Sequence, residues 1–88
     1  MIWTKVNDRM LDLIPKRDVD KKASVAFLNS TYCVMAQDNF TVLLVRNNGH
    51  MVMGVAKRNP RDKFSPKIAG DVATVRAYRS FKKAYYEV

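Results

Sequence analysis

The 88-residue chain has one cysteine, Cys33, and one histidine, His50. A lone cysteine excludes an internal disulfide and fits a reducing compartment. One Cys and one His cannot complete a zinc site. No apolar run approaches the roughly 18–20 residues that span a bilayer, which argues against a membrane role. The opening stretch MIWTKVNDRM lacks an apolar core and a small-residue cleavage site. No signal peptide is therefore expected, and the expected location is cytoplasmic. The chain also lacks a P-loop, a zinc signature and a nucleophile elbow, and shows no repeat, low-complexity tract or linker. These absences point to a non-catalytic protein with no metal or cofactor.

Charge is abundant but one-sided. Sixteen Lys and Arg stand against eight acidic residues, for a net charge of +8. Residues 1–56 carry seven cations and five Asp, or +2; residues 57–88 carry nine cations against Asp62, Asp71 and Glu87, or +6. Such asymmetry suggests an anionic partner: nucleic acid, an acidic protein surface or, less often, lipid headgroups. The apolar content of 48% is that of a globular chain. At this length it makes one domain, residues 1–88, with a small core.

Val6, Met10, Leu13 and Ile14 recur at helical spacing. With Thr4 as N-cap and Pro15 as terminator, they predict a short helix over 5–14. The charged run 16–22 reads as a solvated loop. Residues 23–30 are open to two readings: a short helix over Lys21–Leu28 capped by Asp20, or a strand with Val25 and Phe27 on one face. Asn29-Ser30 reads as a turn. Thr31–Ala36 has the β-branched and aromatic content of a strand. A turn at 37–39 leads to a second strand, 40–46.

Asn48-Gly49 is the sharpest local signal, because a type I′ hairpin turn needs positive φ at both central residues. It sets a register in which Asn47 faces His50, Arg46 faces Met51, Val45 faces Val52, Leu44 faces Met53 and Val42 faces Val55. One hairpin face then carries Phe40, Val42, Leu44, Met51, Met53 and Val55. The other carries Thr41, Leu43, Val45, Val52, Gly54 and Ala56. The larger face is expected to be core. The smaller one would admit a close backbone approach at Gly54.

The hairpin ends at Asn59-Pro60, and Ser65-Pro66 opens a helix to about Tyr85: serine is a favoured N-cap and proline a favoured first residue. Ile68, Val72 and Val75 are expected to be its buried stripe, with Tyr78, Phe81 and Tyr85 beside it. Arg76, Arg79, Lys82 and Lys83 fall late, where cations complement the helix dipole.

As a nucleophile and base, Cys33 and His50 make a poor pair: a thiol amid apolar strand residues is usually inert, and His50 follows an exposed turn. The cations are more informative. Lys57, Arg58, Arg61, Lys63 and Lys67 lie within eleven residues, followed by Arg79, Lys82 and Lys83. Together they are the candidate contacts to phosphates. Tyr78, Tyr85 and Tyr86 would stack on bases if exposed. No helix-turn-helix, RNA-recognition aromatic motif or zinc finger supports base-specific readout. A second class of function is an inhibitor or adaptor that docks a host protein through the hairpin and its methionines. Homodimerisation is compatible with either.

The run VLLVRNNGHMVMGVAKRNPRDKFSPKIAGDVATVRA resembles a family of short bacteriophage proteins. The matching residues are Gly54, Val55, Ala56, Asn59, Pro60, Asp62, Phe64, Ala73, Arg76 and Ala77; the family's Gly four residues before Ala73 is Ala69 here, with Gly70 after it. The resemblance implies a phage origin and a host-cytoplasm setting, and no activity. The residues of the motif also have a structural reading: Asp62 caps or pairs within the connector, Phe64 anchors it, and Arg76 pairs back to Asp62.

The expected fold is α+β: a three-stranded antiparallel meander (31–36, 40–46, 50–57), the C-terminal helix on its Phe40/Val42/Leu44 face, and the N-terminal helix over an edge.

Overall fold

A computed structural model describes residues 2–59, 61, 63 and 65–86, with the side chain of Tyr86 left out. The expectations resting on Pro60, Asp62, Phe64, the Tyr86 ring and Glu87 lie outside the described residues. The chain is α+β, with a four-stranded antiparallel sheet instead of the expected three. Its order is β1 (Thr4–Lys5), β2 (Thr31–Gln37), β3 (Phe40–Asn47), β4 (His50–Lys57). The helices are α1 (Asp8–Asp12), α2 (Lys21–Leu28) and α3 (Pro66–Tyr86), with a 3-10 turn at Lys16–Asp18.

The added strand comes from residues first assigned to a helix start. Thr4 pairs with Tyr32 and Lys5 with Thr31, and the Val6 amide donates to the Ser30 carbonyl. The cap of α1 is therefore Asn7, whose Oδ1 accepts from the Met10 amide at 3.2 Å. An amide side chain at an extended position caps as well as a threonine, and Thr4 is used by the ladder. β1 takes the edge of the sheet beside β2; the N-terminal helix, expected over an edge, contributes Met10 to the core.

The run 16–22, expected as a solvated loop, instead forms a 3-10 turn at Lys16–Asp18 and the start of α2. Asp20 Oδ2 accepts from the Ala23 amide at 2.9 Å and starts α2, which settles the helix-or-strand ambiguity. A cap of this kind is worth about 1 kcal/mol.

The hairpin register is as the Asn-Gly turn dictates, from Asn47↔His50 to Phe40↔Lys57. Asn48 and Gly49 both have positive φ, 49° and 80°.

Helix α3 packs on the opposite face from the one expected. The buried hairpin residues facing it are Thr41, Leu43, Val45, Gly54 and Ala56. The cause is Gly54. A Cβ built there would collide with the Ala73 carbonyl and Ala77 amide of α3 and stand 2.8 Å from the Ala77 Cα. Glycine on the strand and alanines on the helix let two backbones touch, and that contact outweighs the larger side chains of the other face. The buried stripe of α3 is accordingly Ala73, Thr74, Ala77, Tyr78 and Phe81. The expected stripe of Ile68, Val72 and Val75 lies to one side: Ile68 is 64% exposed and the valines are half-buried.

The core gathers Val6, Met10, Ile14, Phe27, Leu43, Val45, Tyr78 and Phe81 between the sheet and the helices. Phe27 meets Tyr78 and Phe81 edge-on at 5.2 and 5.8 Å, a geometry that adds about 0.5–1.5 kcal/mol per pair beyond burial. The Tyr78 hydroxyl accepts from the Asp20 amide at 2.9 Å and lies 3.0 Å from Ser24 Oγ, so this buried polar atom is satisfied. No described helix is long and apolar enough to cross a membrane.

Candidate functional site

The basic residues singled out in the sequence separate into two groups. The first surrounds the junction of β4 with α3. Lys57 ends the strand and is exposed; Arg61 and Lys63 are exposed in the connector; Lys67 is exposed in the first turn of α3. Arg58 is half-buried: its amide continues the β3–β4 ladder by donating to the Asn39 carbonyl at 2.7 Å, and its guanidinium donates to Asn39 Oδ1 at 3.1 Å. Lys57, Arg58, Lys63 and Arg76 share a cleft of about 460 Å³ with Ser65 and Ile68.

Local chemistry explains this layout. The Arg61 amide donates to Asn59 Oδ1 at 3.0 Å, which turns the chain straight after the strand. Ser65 Oγ accepts from the Ile68 amide at 3.3 Å and caps α3 as expected. The one acidic side chain paired within this described group is Asp71, 3.4 Å from the Lys67 ammonium one helical turn away. That pair is exposed and weak.

Arg76 does something the sequence did not announce. Its guanidinium donates to the Val55 carbonyl at 2.7 Å. Asn47↔His50 closes the hairpin as a hydrogen-bonded pair, so the backbone groups of Val55 alternate outward, to the free edge of β4. An arginine from the helix thus occupies an acceptor on the exposed sheet edge, where a foreign strand would otherwise pair.

The second group does not join the first. Arg79 Nε and Nη2 both donate to Asp18 Oδ2, at 3.2 and 2.9 Å, and Lys82 Nζ donates to the Asp18 carbonyl oxygen at 3.0 Å. These two cations fasten the 3-10 turn to α3. The Arg79 hydrogen bond holds the Asp18 carboxyl below its usual value of 3.8; desolvation opposes this, and the charges of Arg79, Arg17 and Lys82 add to it. Lys83 is exposed nearby. It lies sixteen residues beyond Lys67, or about 24 Å along the helix.

Tyr78 is buried in the core and Tyr85 is half-buried, its ring tilted against Phe81 at 4.7 Å and edge-on to His50 at 5.8 Å. Neither is a free stacking platform. His50 belongs to the helix side of the sheet through that contact. Cys33 pairs with Leu44 and belongs to the other side. The two cannot meet as nucleophile and base. Among the described residues no group of three His, Cys, Asp or Glu side chains is placed to hold a metal ion.

One feature of the sheet was missed because the faces were exchanged. The face away from α3 carries Cys33 and Met35 from β2, Phe40, Val42 and Leu44 from β3, and Met51, Met53 and Val55 from β4. Cys33 and Leu44 are buried there but stand apart from the main core cluster. Arg46 lies on this face with its guanidinium 4.2 Å from the centre of the Trp3 ring, and the Lys57 ammonium is 5.7 Å from the centre of the Phe40 ring.

No protein-family model, curated protein or solved structure matches this chain.

Proposed function

We propose that the protein is a small non-catalytic accessory module that binds an anionic partner, nucleic acid before others, through the basic pole where β4 meets α3. The observation that carries this reading is the cleft lined by Lys57, Arg58, Lys63 and Arg76, with Arg61 in the connector and Lys67 in the first turn of α3 also exposed. The contacts are Lys57, Arg61, Lys63 and Lys67, with Arg58 positioned by Asn39 and Lys83 reaching a longer strand. Arg79 and Lys82 are engaged by Asp18, so they act as a tether and contribute little to binding. The connector supplies cations without a base-reading element, so contacts run to the phosphate backbone and sequence preference is weak. The resemblance to short bacteriophage proteins fits such an accessory role in a host cytoplasm.

The apolar sheet face favours a protein contact as a second reading, the surface that an inhibitor or adaptor would use.

The test is binding to fluorescent double-stranded DNA, single-stranded DNA and RNA at two salt concentrations. Affinity tighter than about 1 µM near physiological salt exceeds ordinary non-specific binding and supports the proposal. Four neutralised phosphates would weaken binding roughly 100-fold between 50 and 200 mM salt. No binding at the lower salt overturns it.

A further inference from the structure

The cleft at the junction of β4 with α3 has an apolar wall as well as cations. Its helix side is a single row, Ile68, Val72 and Arg76. These residues are spaced four apart and so lie one above another along α3. The strand side is the end of β4 at Ala56 and Lys57, and Lys63 joins from the connector. Ile68, expected in the buried stripe, is 64% exposed beside these charges. The volume of about 460 Å³ falls within the roughly 300–1,000 Å³ of sites that enclose small organic ligands. Among the described residues that line it there is no carboxylate.

Arg76 completes the wall in a particular way. Its guanidinium donates to the Val55 carbonyl at 2.7 Å, so the sheet edge holds it while the residue stays exposed. A guanidinium held like this keeps its charge and offers a flat face, and an unpaired base stacks on such a face. Val72 and Ile68 continue that surface one and two helical turns earlier. The tyrosines supply no platform, since Tyr78 is buried and Tyr85 is engaged by Phe81 and His50. Phosphates alone have no use for an apolar wall. The bases of a duplex are paired and stacked, and they present only their edges in the grooves. An acidic protein segment satisfies the cations but leaves isoleucine and valine in water. An unpaired nucleotide brings both parts: a flat, weakly polar face and a phosphate on each side.

Building on the reading of this pole as a nucleic-acid site, we infer that the cleft seats an unpaired nucleotide, so that the protein prefers single strands to duplex. The base lies along the Ile68–Val72–Arg76 row, and the flanking phosphates meet Lys57 and Lys63. Stacking and apolar packing accept every base, so affinity depends little on sequence. Base face and phosphate are common to DNA and RNA, and strands of either sugar bind alike.

Fluorescence anisotropy at fixed salt, with circular dichroism as the folding control, tests the inference. The probes are a mixed-sequence DNA strand of about 12 nucleotides, the same strand as RNA, its DNA duplex, and a DNA strand of that length that is abasic throughout. The intact DNA and RNA strands bind at least about fivefold tighter than the abasic strand, which carries the same phosphates. They also bind tighter than the duplex. Ile68→Ser removes about fivefold from the intact strand and nothing from the abasic one, with an unchanged spectrum. Val25→Ser, at a position 57% exposed on α2 outside the cleft, changes neither. Arg76→Lys weakens the intact strand and keeps the salt slope, because the charge remains while the flat face is lost. Equal affinity for intact and abasic strands overturns the inference and leaves phosphate binding at the pole standing. A duplex bound as tightly as the single strand does the same. No binding of any probe at about 50 mM salt overturns the inference and the proposed function together.

Discussion

Gly54 of β4 and Ala77 of α3 meet backbone to backbone: a Cβ at residue 54 would stand 2.8 Å from the Ala77 Cα. This contact decides which face of the sheet the helix covers, and so which face is left open. It also fixes where the first turn of α3 presents Lys67 beside the connector. Gly54→Ala should therefore destabilise the fold by about 1–3 kcal/mol or more, because neither backbone can yield without disturbing the sheet. Gly70→Ala is the contrasting case. Nothing lies within 4 Å of its added methyl, and the residue is helical, so stability should rise by about 0.5–1 kcal/mol. Urea unfolding midpoints of the two variants should move in opposite directions.

Tyr78→Phe probes the seam between α2 and α3. The hydroxyl serves the Asp20 amide and Ser24 inside the core. Removing it strands buried polar groups, at a cost of about 1–3 kcal/mol, while the ring contact with Phe27 remains. Near-ultraviolet circular dichroism should keep its native form as the unfolding midpoint falls.

The Asp18 carboxyl gives a pH signature. Arg79 depresses its folded pKa below the unfolded value. The tether therefore contributes fully above the ordinary carboxylate range and is lost as pH falls through the lowered folded value. A carboxyl titration followed by NMR should place the Asp18 midpoint below 3.8. In Arg79→Ala the midpoint should rise, and the acid-dependent change at the 3-10 turn should begin at a higher pH.

Much of the local structure was legible because single residues dictate it. Asn48-Gly49 set the turn and hence the whole β3–β4 register; Ser65-Pro66 set the start of α3; Asp20 offered the correct cap for α2. The face assignment failed because side-chain size was read as the measure of burial, when Gly54, Ala73 and Ala77 bury by allowing backbones to touch. β1 was hidden since a two-residue strand has no periodicity, and Val6 suits a strand exit and a helix entry equally. Of the eight candidate cations, spacing along the chain placed those from Lys57 to Lys67 at the junction of β4 with α3. It could not show that Asp18, sixty-one residues before Arg79, would engage the later ones.

The central claim is that the cations at the connector bind phosphates while Arg79 and Lys82, late in α3, hold the fold. It is tested most directly by comparing salt-dependent DNA binding of Arg61→Ala/Lys63→Ala with that of Arg79→Ala/Lys82→Ala. The account predicts that the connector variant loses affinity and reduces the slope of log K against log salt by about 1.8, for two phosphate contacts at about 0.9 each. The helix variant should lower stability and keep the slope. An unchanged slope in the connector variant, or an equal loss in both, would contradict it.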